Sequence, residues 1–293
     1  MYYRIILTAA FLSATGAASA PINFNNWQPE GTSSASNWLP NVGVLEDAFD
    51  PTSPRISNQV VQTINGLPTV FLSDIDGIAA SNTIFARVDA GAGDDDFFGF
   101  VIGFQSGDFA NPVADYLLVD WKKVGQVNFD AFIPAGLRLS RVTGTPSEED
   151  LWRAIDADPN DGSGVEQLAV GRARGSTGWI FGREYQFDFT YGVDSVDPTK
   201  MRFGLSVCEA GTCVQEFDQL LDAPIYGSFG FYTYSQGQVI YRSTSVDGGI
   251  AQYVPLPGTA VQPVPLPASG MLLLGAVAGV AGWRRKRRGI SGG

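Results

Sequence analysis

The sequence contains no histidine among its 293 residues and only two cysteines. Without an imidazole, a Ser-His-Asp triad, a Cys-His pair and a His-ligated zinc site are all excluded. We expect any acid–base catalysis to depend on carboxyl groups. Basic residues are also scarce, at 19 Lys and Arg against 30 Asp and Glu.

The first 20 residues have the pattern of a secretory signal peptide. Arg4 precedes the apolar run 5–14, and the small residues Ala18-Ser19-Ala20 suit cleavage before Pro21. We therefore expect residues 1–20 to be removed and the mature protein to be secreted.

The C-terminal end has a Pro-rich linker, residues 251–267, and a tail, residues 268–293, with a short apolar run and a basic end. The run is shorter than the roughly 20 residues that comfortably cross a bilayer, and its positive end would stay inside. The segment Val264-Pro265-Leu266-Pro267-Ala268 closely resembles the VPLPA class of PEP-CTERM-like sorting signals of Gram-negative bacteria. This resemblance implies a hydrophobic sorting helix that pauses the protein in the inner membrane, where an exosortase-type enzyme removes the tail. An ordinary single-pass anchor is the alternative.

The domain between these ends is strongly acidic. With Arg4 and the five basic residues of the tail set aside, 13 basic residues remain against all 30 acidic ones, a formal charge of −17. This charge argues against nucleic acid as a partner, because nucleic-acid binding requires a basic footprint. It suits an exported protein whose carboxylates are partly matched by divalent cations.

The hydrophobic pattern predicts one all-β domain. Roughly 230 residues between the ends, rich in glycine and aromatics, suit two antiparallel layers. A helix is predicted only between Ser147 and Asp156, where Ser147 would cap it. Three half-buried strands are predicted, and their inward rows are Phe98, Phe100, Ile102 and Phe104; Phe187, Phe189 and Tyr191; and Met201, Phe203, Leu205 and Val207.

The two cysteines, Cys208 and Cys213, enclose four residues that include Gly211. In an exported protein the even count and the short loop predict one disulfide that staples a hairpin tip. A redox pair would normally have the closer Cys-x-x-Cys spacing. Free thiols are the alternative.

Asp94, Asp95 and Asp96 lead directly into an aromatic segment. Adjacent carboxylates repel one another, so a counter-charge is needed, and calcium takes carboxylate oxygens in such loops. We expect these three residues to supply oxygen ligands to calcium. A solvated acidic turn is the alternative.

The acidic triplet, the strand after it and a second strand ending in Trp121-Lys122 resemble the C-terminal domain of thrombospondins. The resemblance covers Pro21 to about Val246. It implies a calcium-stabilised, lectin-like and generally non-catalytic domain over residues 21–250, with a concanavalin A-like or jelly-roll antiparallel β-sandwich fold. It continues in order over residues 26–31, 36–38, 60–69, 151–152, 178–179, 184–187, 227–232 and 235–236.

Glycoside hydrolysis is the enzymatic alternative, because it needs only two suitably spaced carboxyl groups. The nearest match to the Glu-x-Asp-x-x-Glu strand motif of β-sandwich hydrolases starts at Glu216 and continues with Asp218. Its last acidic position is occupied by Leu221. We therefore expect Glu216 and Asp218 to lie at the surface or in a loop, and we predict that the protein is not an enzyme.

A second acidic segment contains Asp156 and Asp158. Gly162 falls one position late for an EF-hand, and Gln167 replaces the closing glutamate. A plain turn is expected, with a weak accessory calcium site as the alternative.

Aromatic residues present a choice between core packing and a ligand platform. Trp121, Trp152 and Trp179 are expected to pack in the interior. Tyr232 and Tyr234 share one strand face, and they are candidate ligand-binding residues if that face is open to solvent.

These observations predict an exported, calcium-stabilised, lectin-like recognition module at the cell surface or in the extracellular matrix. Its expected partners are an extracellular polysaccharide or a matrix or surface protein. The exosortase-type enzyme and the inner membrane are expected as transient partners during export. The alternatives are a structural biofilm or envelope protein without a small ligand, and a diverged carboxylate-dependent glycoside hydrolase.

Overall fold

The computed structural model describes residues 24–31, 38–41, 59–77, 80–89, 92–155 and 163–243. The predicted signal peptide, the linker, the tail and the sorting motif 264–268 lie outside these residues. Within the described ranges, no helix is long and apolar enough to cross a membrane.

The described chain contains sixteen strands and one α-helix, with short 3-10 turns at Phe24–Asn26 and Asp108–Ala110. In chain order the elements are β1 (Gln28–Gly31), β2 (Trp38–Asn41), β3 (Gln59–Gln62), β4 (Thr69–Gly77), β5 (Ala80–Val88), β6 (Phe97–Phe104), β7 (Asp115–Lys122), β8 (Gln126–Asn128), β9 (Ala131–Ile133), β10 (Gly136–Thr143), α1 (Glu148–Arg153), β11 (Gly164–Val170), β12 (Tyr185–Val193), β13 (Met201–Glu209), β14 (Thr212–Leu221), β15 (Gly227–Tyr234) and β16 (Val239–Ser243).

Fourteen of these strands form two sheets. Sheet A has the order β1-β4-β15-β6-β7-β10-β11, and sheet B has the order β14-β13-β12-β5-β16-β3-β2. Strands β8 and β9 form a separate hairpin. Neighbouring strands are antiparallel, and the inner faces of the two sheets share one apolar core. The predicted fold class, an all-β antiparallel β-sandwich, is confirmed.

Aromatic rings dominate the core between the sheets. Phe100 of sheet A lies 4.7 Å from Phe189 of sheet B, and Phe231 stacks on Tyr241 at 4.3 Å, both measured between ring centroids. Such contacts add to the stabilisation that comes from removing apolar area from water. Two of the three predicted inward rows, those that start at Phe187 and at Met201, belong to β12 and β13. All of their members lie in this core.

Phe104 departs from its predicted row. Gly103 has φ +80°, and the pairing of β6 with β15 shifts register beside Ser228. This irregularity turns Phe104 to the outer face of sheet A, where its ring contacts Phe109 and Tyr116 at 5.1 and 4.9 Å. The prediction that Phe104 shares a face with Phe98 is wrong, because a bulge interrupts the two-residue period.

The outer face of sheet A is covered rather than solvated. A second buried cluster lies there, and its members come from the sheet, from α1 and from the β8–β9 hairpin. Strand β6 is therefore buried on both faces and not half-buried as predicted. Strand β15, its neighbour in sheet A, is buried on both faces as well. Helix α1 begins as expected, because Ser147 and Asp150 form a reciprocal capping box.

Candidate functional site

The three acidic residues before β6 converge. One carboxylate oxygen from each of Asp94, Asp95 and Asp96 lies within 4.8 Å of the other two. Asp96 is buried, whereas Asp94 and Asp95 are partly exposed. The structure thus brings all three predicted ligand residues to one place.

Backbone hydrogen bonds hold this acidic loop, defined as residues 94–96, in position. The N–H of Asp95 donates to Oδ1 of Asp94 at 2.8 Å, and the N–H of Asp96 donates to Oε1 of the buried Gln236 at 3.0 Å. Trp179 Nε1 donates to the carbonyl oxygen of Asp96 at 3.2 Å. The loop is therefore tied to the segments around Trp179 and Gln236.

Lys122 supplies part of the positive charge that offsets the three carboxylates. From the sequence alone we had assigned that role to calcium. Lys122 Nζ lies 2.6 Å from Asp96 Oδ1, and the Lys122 side chain is fully buried. Its ammonium group lies 4.5 Å from the ring centroid of Phe97 and 4.7 Å from that of Trp152. Burial lowers the pKa of Lys122, and the hydrogen bond to Asp96 opposes that shift.

Asp94 and Asp95 form no ion pair with a Lys or Arg among the described residues, and the effect of this charge is visible at Asp94. Burial is the main factor that raises its pKa, and the nearby charges of Asp96 and Asp95 raise it further, against the lowering effect of the Asp95 N–H. The amide of Asn65 donates a hydrogen bond to Oδ2 of Asp94. The loop thus presents hard oxygen donors with excess negative charge, which is the donor set that calcium prefers.

A second ion pair lies beside the first on the covered face of sheet A. Arg138 donates to both carboxylate oxygens of Asp120, at 2.8 and 3.0 Å, and both side chains are buried. The guanidinium of Arg138 lies 5.0 Å from the Phe97 ring. Sequence reasoning missed both pairs, although the alternation that places Asp120 and Lys122 on one face of β7 was available as a signal.

The two tyrosines proposed as ligand contacts do not face solvent. Tyr232 is 2% exposed and Tyr234 is 4% exposed. The hydroxyl of Tyr234 donates to the carbonyl oxygen of Glu148 at 3.3 Å, and its ring lies 5.0 Å from Trp152. The condition on which their binding role depended is not met, because both side chains lie in the buried outer cluster of sheet A.

The three tryptophans expected in the interior are buried there. Trp121 and Trp179 lie in the core between the sheets, and Trp152 lies in the outer cluster. Trp121 Nε1 donates to the carbonyl oxygen of Thr177 at 2.7 Å. Their role in the described structure is packing.

Glu216 is not at the surface, so that expectation is wrong. Its side chain is fully buried, with Oε1 2.6 Å from an Nη of Arg174. The N–H groups of Ala173 and Arg174 donate to Oε2 at 2.8 and 3.1 Å. Asp218 is exposed as predicted, in an ion pair with Arg202. Glu216 therefore anchors the chain segment after β11 onto β14.

Cys208 and Cys213 pair across the β13–β14 hairpin and are joined by a disulfide bond. The turn between them uses Ala210 at φ +49° and Gly211 at φ +82°. Glycine adopts such a backbone conformation without strain. The bond lies next to the hairpin tip, where the sequence placed it.

The predicted accessory calcium residues Asp156 and Asp158 lie outside the described residues.

The outer face of sheet B is the more accessible sheet surface of the described domain. Asp188, near its centre, accepts hydrogen bonds from Thr83 Oγ1 at 2.7 Å and from Gln186 Nε2 at 2.9 Å. Among the described residues no Lys or Arg forms an ion pair with Asp188. We call this surface the open face of sheet B, and its partly exposed members are Thr83, Phe85, Gln186, Asp188, Ser206 and Arg242.

Arg242 forms one border of this open face. Its guanidinium lies 4.1 Å from the centroid of Phe85 and donates to both carboxylate oxygens of Glu184. The hydrogen bond from Arg242 holds the pKa of Glu184 below its usual range. The face therefore combines side-chain donors held in place by hydrogen bonds, the carboxylate of Asp188, which has no ion-pair partner among the described residues, and the aromatic ring of Phe85.

Comparisons with known proteins give only distant likenesses. No family model and no curated protein matches the chain. An alginate lyase Aly36B mutant in complex with alginate tetrasaccharide shares 14% identity over 81% of this chain and 97% of that chain, with a TM-score of 0.43. The Ca²⁺/Man3GlcNAc-bound VIP36 exoplasmic/lumenal domain shares 10% sequence identity over 81% of this chain and 91% of that chain, with a TM-score of 0.41. The carbohydrate-binding module CBM66 from Bacillus subtilis shares 10% sequence identity over 63% of this chain and 83% of that chain, with a TM-score of 0.40. Likenesses of this degree carry no argument about ligand or reaction.

Proposed function

We propose that this protein is an exported, non-catalytic recognition module that calcium stabilises and that binds a polysaccharide. The observation that carries this proposal is the convergence of Asp94, Asp95 and Asp96 within 4.8 Å in a loop held by main-chain hydrogen bonds. A loop fixed in this way loses little conformational entropy when a cation binds.

Calcium would be held by the carboxylates of Asp94 and Asp95 and by the oxygen of Asp96 that does not contact Lys122. When bound, the ion supplies positive charge to the one carboxylate, Asp94, whose pKa is raised by burial and by its acidic neighbours. Lys122 would keep its contact with Oδ1 of Asp96. Lysine and cation therefore act on different oxygens of the same loop.

The polysaccharide would bind the open face of sheet B. Sugar hydroxyls both donate and accept hydrogen bonds, and the face offers both kinds of partner in a fixed arrangement. Asp188 is the central acceptor, since Thr83 and Gln186 orient its carboxylate and no cation neutralises it among the described residues. Sheet A does not offer an equivalent surface, because α1 and the β8–β9 hairpin cover it.

Export and sorting complete the proposal. Residues 1–20 would direct secretion, and Val264–Ala268 would present the chain to an exosortase-type enzyme in the inner membrane. The product would be displayed at the cell surface or in the extracellular matrix, where a polysaccharide is at hand.

The calcium part is tested by thermal unfolding of the full chain with calcium and with chelator. The melting temperature should rise with calcium in the wild type and in Glu166→Ala, an exposed acidic control on β11. The rise should be lost in Asp95→Ala. An identical melting temperature with calcium and with chelator would refute the site.

The ligand part is tested on a glycan array with and without calcium. Asp188→Ala should lose binding, whereas Glu166→Ala should retain it. Binding to no glycan would favour the structural biofilm or envelope protein. Release of reducing ends from a bound polysaccharide would show that the protein cleaves glycosidic bonds and would overturn the non-catalytic proposal.

A further inference from the structure

Asn65 connects the acidic loop to Ser235, directly after β15. This exposed residue lies between β3 and β4, and its Nδ2 donates a hydrogen bond to Oδ2 of Asp94. Its Oδ1 accepts a hydrogen bond from Ser235 Oγ at 3.2 Å. A neutral amide is therefore a direct partner of Asp94, one of the two loop carboxylates that form no ion pair among the described residues.

The residue after Asn65 is Gly66, and no other asparagine in the sequence precedes a glycine. An asparagine side chain is attacked by the backbone nitrogen of the next residue, and a side chain on that residue hinders the attack. Gly66 has none, and a Cβ built there would have only Ile64 Cγ2 nearby, at 3.9 Å. The site is thus open to solvent and sterically unhindered.

The reaction needs only water as a co-reactant. The Gly66 nitrogen attacks Cγ of Asn65 and gives up its proton, a new N–Cγ bond forms, the Cγ–Nδ2 bond breaks and ammonia leaves. Water then opens the cyclic imide at either carbonyl carbon. The product is aspartate or isoaspartate at position 65, and no redox change occurs.

We propose that Asn65 is a deamidation site. Its modification removes the hydrogen bond from the Asn65 amide to Asp94 and makes the stability of the acidic loop depend more strongly on a divalent cation. A carboxylate at position 65 cannot donate to Asp94, because an ionised carboxyl group only accepts hydrogen bonds. It also adds a fourth negative charge beside Asp94, Asp95 and Asp96. The same carboxylate adds an oxygen ligand of the type that calcium takes, and this second consequence depends on the proposed calcium function.

Other asparagines in the described chain lack one of these features. Asn111 precedes Pro112, whose nitrogen carries no hydrogen, and Asn82 is 2% exposed. Asn128 precedes Phe129 and is partly exposed, so it is a matched internal reference for the chemistry. Asn65 should therefore react before the others.

The chemistry is tested by incubating the full chain at mildly alkaline pH and following peptide masses with time. Loss of the amide should be several-fold faster at Asn65 than at Asn128, and Gly66→Ala should slow it several-fold. Equal rates at the two positions would overturn the assignment of the site.

The consequence is tested with Asn65→Asp, which imitates the main-chain-preserving product, and with Asn65→Ala, which removes the hydrogen bond without adding charge. In chelator, Asn65→Asp should melt about 2–4 °C below Asn65→Ala, because of the added repulsion. Calcium should raise the melting temperature of Asn65→Asp more than that of the wild type. Equal melting temperatures of the two variants in chelator would overturn the effect on the loop.

The outcomes separate this inference from the proposed function. If Asn65 reacts first and Asn65→Asp is destabilised in chelator, yet calcium stabilises no variant, the modification site stands and the calcium proposal fails. If calcium stabilises the wild type but stabilises Asn65→Asp no further, the calcium proposal stands and the gain in cation dependence is refuted.

Discussion

The ammonium group of Lys122 lies 2.6 Å from Oδ1 of Asp96, and the lysine side chain has no exposure to solvent. Two aromatic rings, of Phe97 and Trp152, enclose the ammonium group. The pair therefore neutralises one carboxylate of the acidic loop and joins that loop to α1 through Trp152. A cation at the loop needs to offset only Asp94 and Asp95.

Removing the lysine should be costly. We expect Lys122→Met to destabilise the protein by about 3–5 kcal/mol, because Asp96 would remain buried without its partner. Chemical denaturation measures this change. Lys123→Met is the matched control, since Lys123 is partly exposed and pairs with no carboxylate in the described residues; it should change the unfolding free energy little.

A double-mutant cycle measures the interaction free energy between Lys122 and Asp96. Asp96→Asn in the Lys122→Met background should recover part of the lost stability, because the unpaired charge disappears. If the double variant is less stable than Lys122→Met by the full cost of Asp96→Asn in the wild type, the two side chains are not coupled.

Asp94 should destabilise the calcium-free protein when it is ionised. A carboxyl group whose folded pKa is raised contributes stability below its unfolded pKa and loses that contribution as pH rises through the folded pKa. Asp94→Asn should therefore raise stability in chelator at neutral pH by up to about 1 kcal/mol, a small value because the group is partly exposed. It should also flatten the acidic part of the stability–pH curve. Thermal melts across pH in chelator measure both effects, and a lower melting temperature for Asp94→Asn at neutral pH would contradict the expectation.

The part of the fold that follows from local alternation was predictable. The inward rows of β12 and β13 appear in the core as expected, because a two-residue period directly records which side of a strand is buried. Phe104 was not predictable, since its face depends on a bulge formed with β15, more than a hundred positions away in the chain.

The candidate site was predictable only in part. Adjacent carboxylates are visible in any sequence, so the convergence of Asp94–Asp96 could be expected. The burial of Tyr232 and Tyr234 could not, because it depends on the outer cluster of sheet A, which segments remote in sequence complete. Tyr234, for example, contacts Trp152 and the carbonyl oxygen of Glu148 in α1. The open face of sheet B was missed for a related reason. Alternation marks Asp188 as outward, yet it does not tell which outward face the rest of the chain leaves uncovered.

The disulfide should stabilise the β13–β14 hairpin modestly. Cys208 and Cys213 are five positions apart, so the bond closes a short loop and restricts the unfolded chain by about 2 kcal/mol. We expect the Cys208→Ala/Cys213→Ala double variant to lose about this amount, measured by denaturation. Reductant should lower the melting temperature of the wild type and leave the double variant unchanged. A response of the double variant to reductant would assign the effect to another cause.

Substitution of Glu216 tests whether this residue anchors the fold or acts as a catalytic acid. Glu216→Gln should destabilise the protein by about 1.5–3 kcal/mol, because a charged hydrogen bond with Arg174 is lost and the acceptor of two backbone N–H groups is weakened. Asp218→Asn is the matched control two positions away, and its exposed ion pair with Arg202 predicts nearly unchanged stability. Denaturation of both variants, together with reducing-end release from polysaccharides, separates the roles. A catalytic acid would give a Glu216→Gln variant that loses activity and keeps its stability, whereas the buried anchor gives a variant that loses stability.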